Sequence, residues 1–184
     1  MTSQLLKKIG KKTALASFTG GSLILLLYYF TANDNFIFGG LFYIIVAGLV
    51  NLVLLIIILT KALKSKPRET GLFYAAGILL LNIPAALLML WFGGLLLNTM
   101  RITITNPTTQ DISEVIIEGC EKKVINLLKA GESTTVWIKI PGECAILMSY
   151  TQGTIQKREV VIGYLSRHSG GKATHTIGQG IIRD

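Results

Sequence analysis

"GLFYAAGILLLNIPAALLMLWFGGLLLN", Gly71–Asn98, contains no Asp, Glu, Lys, Arg or His over 28 residues. As a helix it extends roughly 40 Å, more than the ~30 Å hydrocarbon core of a bilayer. A spanning segment must satisfy its own backbone groups, so this run reads as a transmembrane helix. Two features interrupt it. Asn82 places an amide near its middle, and Pro84 lacks the N–H that would bond the carbonyl of Leu80, so a kink is expected there.

Two similar runs precede it. "ALASFTGGSLILLLYYFTA" is Ala14–Ala32 and "FIFGGLFYIIVAGLVNLVLLIIILT" is Phe36–Thr60, and neither is charged. Spans at 14–32, 36–60 and 71–98 account for a mean hydropathy of +0.56. After residue 98 the pattern changes. The chain is therefore expected to divide into a basic N-terminal segment, 1–13, a three-helix membrane region, 14–99, and a second domain, 100–184.

The formal charge of +8 is unevenly placed. Lys7, Lys8, Lys11 and Lys12 precede the first run, and Lys61, Lys64, Lys66 and Arg68 lie between the second and third. The "NDN" loop, Asn33–Asn35, has no basic residue. Basic loops face the cytoplasm, so the expected topology is a multi-pass inner-membrane protein with a cytoplasmic N-terminus. The C-terminal domain is then periplasmic or extracellular. Tyr28, Tyr29, Phe30, Phe36 and Phe38 are expected to form an aromatic belt at the outer interface. The first run is read as a retained span, because bulky Tyr28–Phe30 stand where a cleavage site needs small residues. The opening "SQLLKKIGKK" reads as its basic flank, with a short interfacial helix as the alternative. No N-x-[ST] sequon occurs, which favours a bacterial envelope.

Past Asn98 come short β-rich runs separated by "NPTTQD", "EGCEKK", "KAGES", "IPGEC", "TQGT" and "RHSGGK". Six turns imply seven strands, near 101–106, 112–118, 123–128, 133–140, 144–151, 154–165 and 173–182. A seven-stranded, sandwich-like all-β domain is expected, with a partly open barrel as the alternative. One hairpin resists assignment. A two-residue turn at Gln152–Gly153 sets Met148 opposite Lys157 and Leu147 opposite Arg158. Both faces are then mixed, so either a bulge shifts the register or the loop is longer.

Cys120 and Cys144 are the only cysteines. On an oxidising side of the membrane they are expected to pair, with two separate buried thiols as the alternative. No catalytic, cofactor or metal constellation is evident. His168 and His175 lack the further ligands of a zinc site. Ser166 and Ser169 lack a nucleophile-elbow context, and "HSGGK" lacks phosphate-loop spacing. Within the spans, Ser17, Thr19 and Ser22 have no acid or base at depth, which argues against transport and intramembrane hydrolysis. The second domain carries only a slight basic excess, so a nucleic-acid partner is not expected.

Asn51 and Asn82 are the polar residues that matter most in the spans. Counted from Thr60 and Gly71, each lies roughly 14–17 Å deep, close to the midplane. The second and third spans form an antiparallel hairpin, so the amides are expected to meet in a polar clasp. A contact with another subunit and a pore lining are the alternatives. The expected function is a non-enzymatic interaction protein, held by membrane lipid and presenting its β-domain to a protein partner in or near the membrane. The accessory subunit of a larger membrane complex is the leading form. Other readings are a small channel or pore-forming oligomer, and an immunity-type protein against a membrane-acting toxin.

Overall fold

Three helices come first. α1 is Ser3–Thr31, α2 is Asn35–Lys64 and α3 is Thr70–Leu97, and all three are long and apolar enough to cross a membrane. This computed structural model describes residues 2–67 and 69–182. The basic start does not stand apart as a segment, because its lysines lie on the first turns of α1. There Leu6 and Ala14 are buried with Ile58 and Ala62 of α2 and Leu72, Ala75, Ala76 and Leu79 of α3. A small-residue face lets the helix backbones approach, as lipid-embedded packing requires. Lys7 also pairs with Glu69 at 2.7 Å, just ahead of α3.

The turn between α1 and α2 is closed locally. Ala32 takes the left-handed conformation at φ 51°, and its N–H bonds the carbonyl of Tyr28. Asn33 Oδ1 accepts the N–H of Asn35 at 3.0 Å, an Asx turn that starts α2. The aromatic residues beside this turn divide. Tyr28 is buried, whereas Phe30 and Phe38 are exposed. Tyr29 stacks on Phe92 of α3, ring centroids 6.4 Å apart. Tyr29 thus links α1 to α3.

The chain separates into two compact units, Met1–Gly93 and Gly94–Asp184. The second takes in the last turn of α3 and a β-domain. Its strands are β1 (Thr99–Thr105), β2 (Ile112–Glu118), β3 (Lys123–Leu128), β4 (Ser133–Lys139), β5 (Cys144–Gln152), β6 (Ile155–Leu165), β7 (Gly171–Thr176) and β8 (Ile181–Ile182). They form two sheets, β4-β1-β7 and β3-β2-β5-β6-β8, with β1 and β7 parallel and the other pairs antiparallel. Ile102, Ile104 and Ile138 from the first sheet share one core with Ile112, Val115, Ile117, Ile146 and Met148 from the second. The final expected strand, 173–182, is two strands: the chain turns at Ile177–Gly180 and crosses from one sheet to the other.

The hairpin that resisted assignment turns at Gly153–Thr154, one residue later than the turn considered, so Met148 faces Glu159 and Leu147 faces Val160. Moving a two-residue turn by one position shifts the pairing by two residues and keeps each side chain on its face. Met148 still faces a charge. Register shifts near Ile146 then bring Ile146 opposite Ile162 and return apolar residues to the core.

Candidate functional site

The mixed face of that hairpin contains a polar cluster. Glu159, on β6, lies on the core side and is 1% exposed. Its Oε1 accepts Tyr150 Oη–H at 2.5 Å and the N–H of Gly178 at 2.8 Å, and its Oε2 meets His175 Nε2 at 2.9 Å. Tyr150 comes from β5 in the same sheet, His175 from β7 in the other sheet, and Gly178 from the β7–β8 turn. The carboxylate thus joins both sheets and the crossing between them. Burial alone pushes the Glu159 carboxyl up, but the bonds from Tyr150, His175 and Gly178 bring it below the usual carboxylate range. Burial and the Glu159 bond both raise the Tyr150 phenol. At neutral pH the cluster is an ionised carboxylate surrounded by donors that tie the two sheets together.

Sequence reasoning passed over this cluster, and the signal was the hairpin itself. No register of that hairpin gives two clean faces, because one charge belongs inside. In sequence, His175 reads as part of an exposed loop and edge strand and lacks the further ligands of a metal site. No group of three or more His, Cys, Asp or Glu among the described residues is placed to hold a metal ion.

Cys120 and Cys144 are bonded. The disulfide ties the β2–β3 loop to the first residue of β5, at the end of the domain where α3 enters. That entry is hydrogen-bonded. The carbonyl of Leu97 accepts the N–H of Gly170 at 2.7 Å, and the carbonyl of Asn98 accepts the N–H of Ile140 at 2.9 Å. Two of the carbonyls that a helix C-terminus leaves open are therefore filled by the β-domain. Gly170 must be glycine for this, because a Cβ there would run into the carbonyls of Leu96 and Leu97.

Asn51 and Asn82 do not form the expected clasp between α2 and α3. Each reaches α1 instead. Asn51 Nδ2 donates to Ser17 Oγ at 2.7 Å and to the carbonyl of Ala47 at 2.8 Å. Asn82 Nδ2 donates to the carbonyl of Ala14 at 3.1 Å. Tyr43 Oη adds a bond to the carbonyl of Ala16 at 2.9 Å, its ring filling the space a side chain at Gly20 would need. The reason is geometric. Asn51 Nδ2 finds a serine hydroxyl on α1 and Asn82 Nδ2 a carbonyl there, while Asn51 Oδ1 stays buried without a partner among the described residues, and depth counted along two helices does not reveal where α1 packs. Asn51, Asn82 and Ser17 border a cavity of about 350 Å³ among the helices. Pro84 lies within α3, which continues through it to Leu97.

No family model, no curated protein and no solved structure matches this chain.

Proposed function

We propose that this chain is a membrane-anchored, non-enzymatic interaction protein, an accessory subunit of a larger membrane complex. Its three helices embed it, and the β-domain faces a protein partner on the extracytoplasmic side. The observation that carries this reading is the join at Leu97–Asn98. A helix suited to lipid runs directly into a β-strand, and the join is held by two backbone hydrogen bonds to separate loops. A module joined to its helix without a linker stays close to the bilayer that holds the helix, which suits recognition of a neighbour in the same membrane. The basic residues Lys7, Lys8, Lys11, Lys12, Lys61, Lys64 and Lys66 support a cytoplasmic N-terminus. The pore reading loses support, because the amide donors of Asn51 and Asn82 are engaged by α1.

Two measurements test this. In whole cells, a thiol reagent that does not cross membranes should label Thr109→Cys and leave Lys66→Cys unlabelled. The reverse pattern rejects the topology. Native purification with mass spectrometry should then recover stoichiometric membrane subunits. Recovery of the chain alone rejects the accessory-subunit reading.

A further inference from the structure

The end of the β-domain that receives α3 differs from the rest in charge. Three loops meet there: β2–β3 (119–122), β4–β5 (140–143) and β6–β7 (166–170). Hydrogen bonds bind them together. Glu121 Oε2 accepts the N–H of Lys139, Arg167 Nε donates to the carbonyl of Pro141, and Gly170 bonds Leu97. These loops and the adjoining strand ends carry Arg101, Lys122, Lys123, Lys139, Arg167 and Lys172 against Glu118, Glu121 and Glu143. The other described residues of the domain carry three basic side chains, Lys129, Lys157 and Arg158, against four acidic ones, Asp111, Glu114, Glu132 and Glu159. The charge is therefore segregated toward the α3 end, although the domain as a whole is nearly balanced.

The same end displays an interfacial aromatic residue. Arg101 pairs in register with Trp137 on one side and Lys172 on the other. Arg101 itself is buried, its guanidinium 5.7 Å from the Trp137 ring, while Trp137, Lys139 and Lys172 are exposed. Arg101 follows the end of α3 by only four residues, so this row sits near the start of β1. Tryptophan and basic side chains are the residues that settle at membrane–water interfaces.

We propose that this end of the β-domain rests on the phosphate headgroups of anionic lipids, with Lys122, Lys139, Arg167 and Lys172 as the contacts and Trp137 as the aromatic anchor. The inference rests on the reading of the helices as membrane-embedded. Lipid is favoured over a protein surface because the apolar helix α3 joins β1 at this end without a linker. The opposite end of the sandwich and the hydroxyl-lined outer face of the β4-β1-β7 sheet then remain for a protein partner. On that outer face Thr103 meets Thr135 at 2.9 Å and Thr105 meets Ser133 at 2.8 Å.

The test uses the full chain carrying Trp91→Phe, which leaves Trp137 as the only tryptophan. The protein is placed in nanodiscs of phosphatidylcholine alone, or of an equal mixture with phosphatidylglycerol, each with some headgroup-spin-labelled phosphatidylcholine. Trp137 emission should be blue-shifted and quenched in the mixture and less so in phosphatidylcholine. The difference should fade as salt shortens the screening length from about 10 Å at 0.1 M to about 3 Å at 1 M. Each basic side chain at a charged surface strengthens the contact roughly fivefold. A Lys122→Glu, Lys139→Glu, Lys172→Glu variant should therefore quench equally in both lipids, and the corresponding Gln variant should fall between. Quenching in the parent that ignores lipid charge and salt overturns the proposal while leaving the membrane reading intact. Failure of the protein to float with vesicles after alkaline washing overturns both.

Discussion

Glu159→Ala tests the account of the β-domain most directly. The substitution removes the acceptor shared by Tyr150 Oη, His175 Nε2 and the N–H of Gly178. A buried donor left without a partner costs about 1–3 kcal/mol. The His175 side chain is 10% exposed, so water can reach it and relieve that loss. Gly178 is exposed in its turn, so the buried Tyr150 donor remains, for a destabilisation of about 1–3 kcal/mol. Small domains have only about 5–15 kcal/mol in total, so the effect should be large. Glu159→Gln should cost less, about 1–2 kcal/mol, because its amide keeps one acceptor and the Tyr150 hydroxyl can turn to accept from the new N–H group. The pH dependence has a defined sign. The folded Glu159 pKa is depressed, so its contribution is fully present above the unfolded value of about 4.3 and is lost as pH falls through the folded value. The parent's advantage over Glu159→Gln should accordingly shrink in acid. Urea unfolding of the full chain in detergent, followed by Trp137 emission in the Trp91→Phe background, measures all three proteins. A loss below 1 kcal/mol for Glu159→Ala, or a parent-to-Gln gap unchanged between neutral pH and acid, would refute the claim that this carboxylate joins the sheets.

Three further outcomes are expected. Reducing the Cys120–Cys144 bond, which encloses a separation of 24 residues, should lower domain stability by about 3 kcal/mol. A non-reduced digest should contain the linked peptides, and free thiols in the protein isolated from cells would contradict the bond. Asn82→Leu should weaken the docking of α1 by about 0.6–2 kcal/mol. Disulfide trapping of an Ala14→Cys, Asn82→Cys pair should succeed within one chain, whereas trapping only between chains would remove the assigned bond. Gly170→Ala should disrupt the Leu97–Gly170 bond and increase proteolysis at residues 166–170, and unchanged proteolysis would show that the join tolerates a side chain there.

Much of the architecture is legible along the chain. Uncharged runs at 14–32, 36–60 and 71–98 announce helices because a length set by bilayer thickness and an absence of charge are local properties. The turns of the β-domain are local too, since Gly, Pro, Asn and Asp shape the backbone within a few residues. Six of the eight strands follow from that punctuation to within two residues. Tertiary structure alone decided the partners. Asn51 and Asn82 are conspicuous in sequence, yet whether they meet each other or Ser17 and Ala14 depends on where α1 packs, which no distance along the chain encodes. The division of 173–182 into β7 and β8 depends on which sheet each half joins. Glu159 is the sharpest case. Its neighbours in sequence present it as a surface charge, and it is buried only because Tyr150, His175 and Gly178 bring three donors to one point. A single acceptor buried among donors is stabilised by their arrangement in space, and strands from both sheets have to be assembled before that arrangement exists.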